Sequence, residues 1–240
     1  MLTICRTIFL DVDDVPHQDR MRISLMENAR PWVAGAKVGD AIEEIGIQRL
    51  FMYHIPEGMA FLVDQKDADT PDRAVRRMRK YLAYSPFLPT FMTVSGVSAD
   101  EKKLESLAAA RGKMSIILVP FLSSELMERQ LGELLLARRA LLAKRCGLQG
   151  ITCPAPFVRI ASAMKIKGEL PVEFVIIATG TRSLDVSLHN HAVRVTPEKA
   201  LRDGATHVVI GREVTKASNP LKVLEELAMR CSAARSAAMI

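Results

Sequence analysis

The residues best suited to chemistry lie in one short stretch, Asp64-Gln65-Lys66-Asp67-Ala68-Asp69-Thr70-Pro71. A lysine between two carboxylates can move a proton, or stabilise charge that develops on a bound ligand. The apolar run Met59 to Val63 that precedes it reads as a buried strand. Strand alternation puts Asp64 and Lys66 on one side of the backbone and Gln65 on the other. Charged groups on the inner side of a strand are costly unless they pair. Pro71 then starts a helix. Taken alone, the stretch also fits a solvated loop after a strand, so the elements around it must decide.

Those elements alternate. Strands are expected at Thr7–Asp14, Trp32–Gly39, Met59–Val63, Thr90–Gly96, Met114–Val119, Gly150–Cys153, Val172–Ala178 and Thr206–Ile210. Helices are expected over Val15–Arg30, Asp40–Ile45, Pro71–Tyr84, Ala99–Ala110, Ser124–Cys146, after Pro156, Pro197–Arg202 and Pro220–Ala234. Gln48 to Tyr53 reads as a short extra strand. In the long helix from Ser124, leucines including Leu131, Leu134, Leu135 and Leu141 fall near helical spacing. Arg76, Arg77, Arg79 and Lys80 read as a solvated face of the helix after Pro71. Eight strand–helix units predict an α/β fold, a single-domain (β/α)8 TIM barrel over residues 1–240. Chemistry in that fold sits at the carboxyl ends of strands. Asp11, Lys37, Asp64, Lys66 and Gly211-Arg212 all fall there, which argues against the solvated loop.

Composition narrows the partners. The 240 residues are 49% hydrophobic and 25% charged, with a net charge of +6, an ordinary globular balance with a bias toward anionic ligands. Only 5% are aromatic and no basic stretch is interleaved with them, so no nucleic-acid platform is expected. The cysteines Cys5, Cys146, Cys153 and Cys231 form no C-x-x-C pair and no zinc spacing, so no metal site is expected and reduced thiols in a cytoplasmic protein are. No signal-peptide pattern or apolar run of about 20 residues suggests export or membrane insertion.

Two motifs resemble the orotidine 5′-phosphate decarboxylase family. Asp64-x-Lys66-x-x-Asp69 followed by Pro71 is similar to its D-x-K-x-x-D-I-P signature. The segment from Thr196-Pro197-Glu198-Lys199-Ala200 through Gly204-Ala205-Thr206-His207-Val208-Val209-Ile210-Gly211-Arg212 to Ala217 and Pro220 is similar to its closing phosphate-site segment. Leu10-Asp11 and Lys37-Val38-Gly39 support the match. The resemblance implies a cofactor-free decarboxylation of orotidine monophosphate. Lys66 would donate the proton. Asp64 and Lys37 would complete a charge array, and Asp69 would reach a neighbouring subunit's site in a homodimer. Asp11 would bind ribose, Ser123 the pyrimidine amide, and Gly211 and Arg212 the phosphate. Arg182 keeps the position of a further substrate-binding arginine.

The chain also departs from the family pattern. Thr70 replaces an isoleucine, Arg73 a threonine, and Thr179-Gly180 a Pro-Gly. Ser95 stands where many members have histidine. The stretch Ser183 to His191 is poor in glycine, and His189 and His191 read as exposed. The catalytic charges therefore match better than the substrate-gripping loops. Two other readings follow: a relative acting on another phosphorylated ligand, such as a sugar phosphate, or a non-catalytic ligand-binding barrel.

Overall fold

The computed structural model describes residues 6–13, 15, 19–46, 48, 59–84, 90–97, 100–122, 128–183 and 195–237. Eight parallel strands close into a barrel in chain order: β1 (Ile8–Asp11), β2 (Gly35–Val38), β3 (Ala60–Asp67), β4 (Thr90–Ser95), β5 (Ser115–Val119), β6 (Gly150–Pro154), β7 (Val175–Thr179) and β8 (His207–Ile210), with β8 pairing back onto β1. The helices between them are α1 (Asp19–Ala29), α2 (Asp40–Ile45), α3 (Pro71–Tyr84), α4 (Glu101–Ala110), α5 (Arg129–Arg145), α6 (Val158–Ile166), α7 (Pro197–Arg202), α8 (Arg212–Thr215) and α9 (Pro220–Ala237). The single-barrel (β/α)8 architecture expected from the alternation is the one observed.

Strand period two sorts each strand into an inner and an outer set. Outward residues such as Ile8, Leu10, Ala36, Phe61, Val63, Ile116, Leu118, Ile176 and Val208 pack against the helices in the main core. The inward set is smaller: Phe9, Ala60, Leu62, Ile117, Ile177 and Val209 fill the barrel, backed by Phe91 and Val175. At its amino-terminal end Phe9 meets Phe91 edge-on at 5.4 Å and the His207 ring at 5.2 Å. Side chains thus plug the floor. One step further along the same inward rows, Asp11, Lys37 and Asp64 replace the apolar residues. Close strand approach is enforced at Gly35, where a Cβ would lie 2.1 Å from the Ala60 carbonyl oxygen.

Several expected boundaries move. The third strand runs through Asp67, so the charged stretch is strand and not the loop beyond it. Lys66 is, among the described residues, the one non-glycine residue with positive φ, at 48°. Between the pairs Val63↔Met92 and Asp67↔Val94 three residues of β3 face only Thr93 of β4. A bulge, not a regular pleat, therefore presents Asp64 and Lys66 together. β7 begins at Val175; Val172 precedes it and is exposed. In α5 the buried face is Gly132, Leu136, Ala140 and Ala143, and Leu131, Leu134 and Leu141 point outward, so the leucine spacing does not mark the core side. Arg77 is not on the solvated face of α3: it pairs with Asp67 and Asp69. The expected start of the long helix at Ser124, the extra strand over 49–53 and the stretch 184–194 lie outside the described residues.

The floor makes a pH prediction. Loss of hydration, helped by Arg235, pushes the His207 imidazole down to about 4. A histidine depressed in the folded state stabilises the fold above its unfolded pKa near 6.5. That contribution fades as pH falls from about 6.5 toward 4. Urea denaturation of His207→Phe should lose less stability than the parent between pH 7 and pH 5, by on the order of 2 kcal/mol. Parallel losses in both proteins would rule out His207 as the source.

Candidate active site

At the carboxyl ends of the strands one cavity of about 390 Å³ opens, lined by charges on one part and by apolar walls on another. Asp11, Lys37, Asp64, Lys66, Arg182, Gly211 and Arg212 all border it. The walls are Leu62, Val119, Phe121, Leu122, Thr152, Thr179 and Val209. Seven of the residues singled out in the sequence thus meet at one place. Asp69 does not border the cavity, and Ser123 lies outside the described residues.

The centre of the site is the Lys37 ammonium. Register pairs Asp11 with Lys37, and Lys37 with Leu62 two residues before Asp64, so three inward side chains converge. Lys37 Nζ lies 3.2 Å from Asp11 Oδ2, 2.9 Å from Asp13 Oδ2 and 3.3 Å from Asp64 Oδ2. Burial works to lower the Lys37 pKa, but Asp11, Asp64 and Asp13 together hold it above the ordinary lysine range. Lys66 Nζ donates to the same Asp64 oxygen at 2.8 Å. Asp64 therefore bridges two ammonium groups. Burial works to raise its pKa, yet Lys37 and Lys66 outweigh that and keep it below the usual carboxylate range.

Two residues that the sequence reading missed complete the array. Asp13 accepts the backbone N–H groups of Gly39 at 2.8 Å and Ala41 at 3.1 Å through Oδ1, leaving Oδ2 for Lys37. It ties the start of α2 to the lysine. Thr93, fully buried on β4, donates to Asp64 Oδ1 at 3.0 Å and accepts the Lys66 N–H at 2.8 Å. One hydroxyl thus links the carboxylate and the bulged backbone. Gln65, between Asp64 and Lys66 in the bulge, bonds Tyr81 of α3.

The other side of the cavity is built by β7 and β8. Gly211 follows β8 and caps α8, and a Cβ there would sit 3.1 Å from the Asp11 Cβ, so glycine leaves room for that carboxylate. Arg212 is the first residue of α8, a short helix not foreseen in the sequence. Arg182 is nearly buried; its backbone N–H meets the Val195 carbonyl at 3.0 Å and its Nη1 the Thr181 carbonyl at 2.8 Å. Four cations and two carboxylates line the cavity. The surplus positive charge suits a ligand with a dianionic group, for which guanidinium forks are well shaped.

Asp69 instead accepts from Arg77 Nη2 at 3.1 Å, and Arg73 Nη1 lies 3.9 Å from its other oxygen. Its pKa is lowered, chiefly by the Thr70 N–H; burial opposes this, and Arg73 and Arg77 add to the lowering. Arg73 is largely exposed, above Asp69.

The same geometry has a pH signature at Asp11. Burial raises its carboxyl to about 6, against the pull of Lys37 and with help from Asp13. A carboxyl raised in the folded state binds its proton more tightly there than in the unfolded chain. Its ionisation therefore removes stability as pH rises from about 4 to about 6, and no more above that. Relative to the parent, Asp11→Asn should gain stability across that window and hold the gain at pH 8. Denaturation curves at pH 4, 6 and 8 check this; a gap that does not change with pH would contradict it.

Comparison with known proteins bears on the family and the fold. The family model described as "Orotidine 5'-phosphate decarboxylase / HUMPS family" matches residues 7–227. An orotidine 5′-phosphate decarboxylase of Neisseria meningitidis serogroup C is 29% identical over 215 residues, covering 85% of each chain. One from Nitrosomonas europaea is 29% identical over 196 residues, covering 78% of this chain and 81% of that protein. Among solved structures, orotidine 5′-phosphate decarboxylase from Lactobacillus acidophilus superposes with a TM-score of 0.72 at 18% identity, over 95% of this chain and 99% of that one. That likeness carries the fold, and the family match carries the membership. The chain belongs to the orotidine 5′-phosphate decarboxylase / HUMPS family and is an enzyme of the carboxy-lyase kind for which that family is named.

Proposed function

We propose that this chain converts orotidine 5′-monophosphate to uridine 5′-monophosphate and carbon dioxide, as a homodimeric cytoplasmic enzyme of de novo pyrimidine synthesis. The observation that carries this reading is the Lys66–Asp64 pair, 2.8 Å apart and held inside a cavity with surplus cations. The apolar walls suit a planar base, and Arg182, Gly211 and Arg212 suit a phosphate.

In this reading the bond between C6 and the carboxylate breaks, carbon dioxide leaves, and the electron pair stays on C6. Lys66 offsets that charge and passes a proton to the carbon; the neutral amine then regains a proton from solvent. Asp64 faces the departing carboxylate, and this crowding of like charges disappears when the group leaves as a neutral molecule. Lys37 keeps Asp64 ionised, and with Asp11 it binds the ribose hydroxyls. Because Asp13, Thr93 and the barrel hold these charges before the ligand arrives, little reorganisation accompanies the reaction. Asp69, turned away from its own chain's cavity, serves the site of a second copy.

Two experiments test this. Orotidine monophosphate turnover, followed by ultraviolet absorbance, should fall by about 10³-fold or more in Lys66→Ala, with an unchanged circular dichroism spectrum. Retained turnover would remove Lys66 from the proton-donor role. Heat protection by a sugar phosphate with no response to nucleotides would point to a different phosphorylated ligand. Separately, mixing inactive Lys66→Ala and Asp69→Ala subunits should restore roughly a quarter of the parent rate, since half the dimers are hybrids with one intact site. A mixture that stays inactive while native mass spectrometry detects hybrids would sink the shared site.

A further inference from the structure

Behind the bulge lies a second ionic cluster that takes no part in the cavity. Asp67 has a side chain with no solvent exposure, and Lys103 of α4 has one with 2%. Lys103 Nζ donates to the Asp67 backbone carbonyl at 2.8 Å and lies 3.3 Å from Asp67 Oδ1. Arg77 of α3 bonds the other Asp67 oxygen, and through Nη2 it bonds Asp69. Asp67 Oδ1 also accepts the Asp69 N–H at 2.9 Å. One buried carboxylate thus joins the end of β3, two helices and the residue that carries Asp69.

Stability alone is a weak reason for such a cluster, because well-packed apolar groups of similar volume commonly serve as well or better. Geometry gives a stronger one. Lys66 has a left-handed backbone that a lysine rarely adopts, and such a conformation persists only where its flanks hold it. Thr93 pins the bulge at the Lys66 N–H and at Asp64. On the other flank, the residue that follows Lys66 is Asp67, fixed by Lys103 and Arg77.

We propose that Lys103 and Arg77 are positioning residues that act through Asp67, clamping the bulge so that the Lys66 ammonium stays on Asp64 and Asp69 keeps its direction. The inference rests on the reading of Lys66 as proton donor, so its test includes a measurement that needs no turnover. Lys103→Met leaves Asp67 with a lost partner and can lose fold stability for that reason alone. The double variant Asp67→Leu/Lys103→Met removes both buried charges and keeps the volume filled.

In the double variant kcat for orotidine monophosphate should fall about 10- to 100-fold with KM within about threefold, the range expected for a misplaced reacting group. In protein labelled with [13Cε]lysine, the Lys66 signal, assigned by its absence in Lys66→Ala, should shift and broaden toward those of exposed lysines. Parent kcat together with an unmoved Lys66 signal would overturn the clamp. If the parent itself leaves orotidine monophosphate unchanged, the functional reading fails and the Lys66 signal alone decides: a moved signal supports the clamp and an unmoved one overturns it. Should the double variant not fold, the same two measurements on Asp67→Asn decide by the same outcomes.

Discussion

Everything at the mouth of this barrel depends on charge neutralisation around Lys37. An ammonium group largely removed from water needs partners, and here three carboxylates supply them. The arrangement works in both directions, since Asp11, Asp13 and Asp64 crowd one another and would repel without the lysine between them. Asp64 relays the pattern to Lys66. The result is an alternation of signs fixed by strand register before any ligand binds. Each carboxylate is also held by something other than its cation. Backbone N–H groups of α2 hold Asp13, the Thr93 hydroxyl holds Asp64, and the Asp13 N–H meets Asp11 at 3.2 Å.

The divergent gripping elements read differently once they have positions. Arg73, where the family has a threonine, does not enter its own chain's cavity but lies by Asp69. Thr179 and Gly180 replace Pro-Gly yet still border the cavity, and Thr181 fixes the turn by donating to the Val209 carbonyl at 3.2 Å. Arg182 is then anchored by its neighbour's carbonyl. The change from proline is thus met by a hydroxyl that crosses to the next strand.

Much of this was legible in the chain because strand geometry is simple. Asp11, Lys37 and Asp64 sit on the inward phase of their strands, and a period of two predicts that without further information. The barrel followed from the count and alternation of elements. What stayed hidden depends on contacts between distant elements. Thr93 is an unremarkable threonine until a bulge places the Lys66 N–H against it. By sequence alone Asp67 is one more acid in a charged run, and nothing local sets Lys103 apart from its neighbour Lys102. Burial of that pair depends on how α4 seats on β3, which no local pattern encodes. Arg77 was grouped with its exposed neighbours because one-residue differences in helix phase decide burial. Asp13 is one of three acids within Asp11–Asp14, and what distinguishes it is two backbone donors from the next unit.

The aromatic floor has a consequence for traffic. Phe9, Phe91 and His207 meet edge-on and tilted across the amino-terminal end, in the inner core with Leu62 and Val209. Among the described residues, a chamber stoppered at the bottom opens toward the carboxyl ends of the strands. Whatever enters that chamber and whatever leaves it therefore share the same face of the barrel, the one that carries the charges.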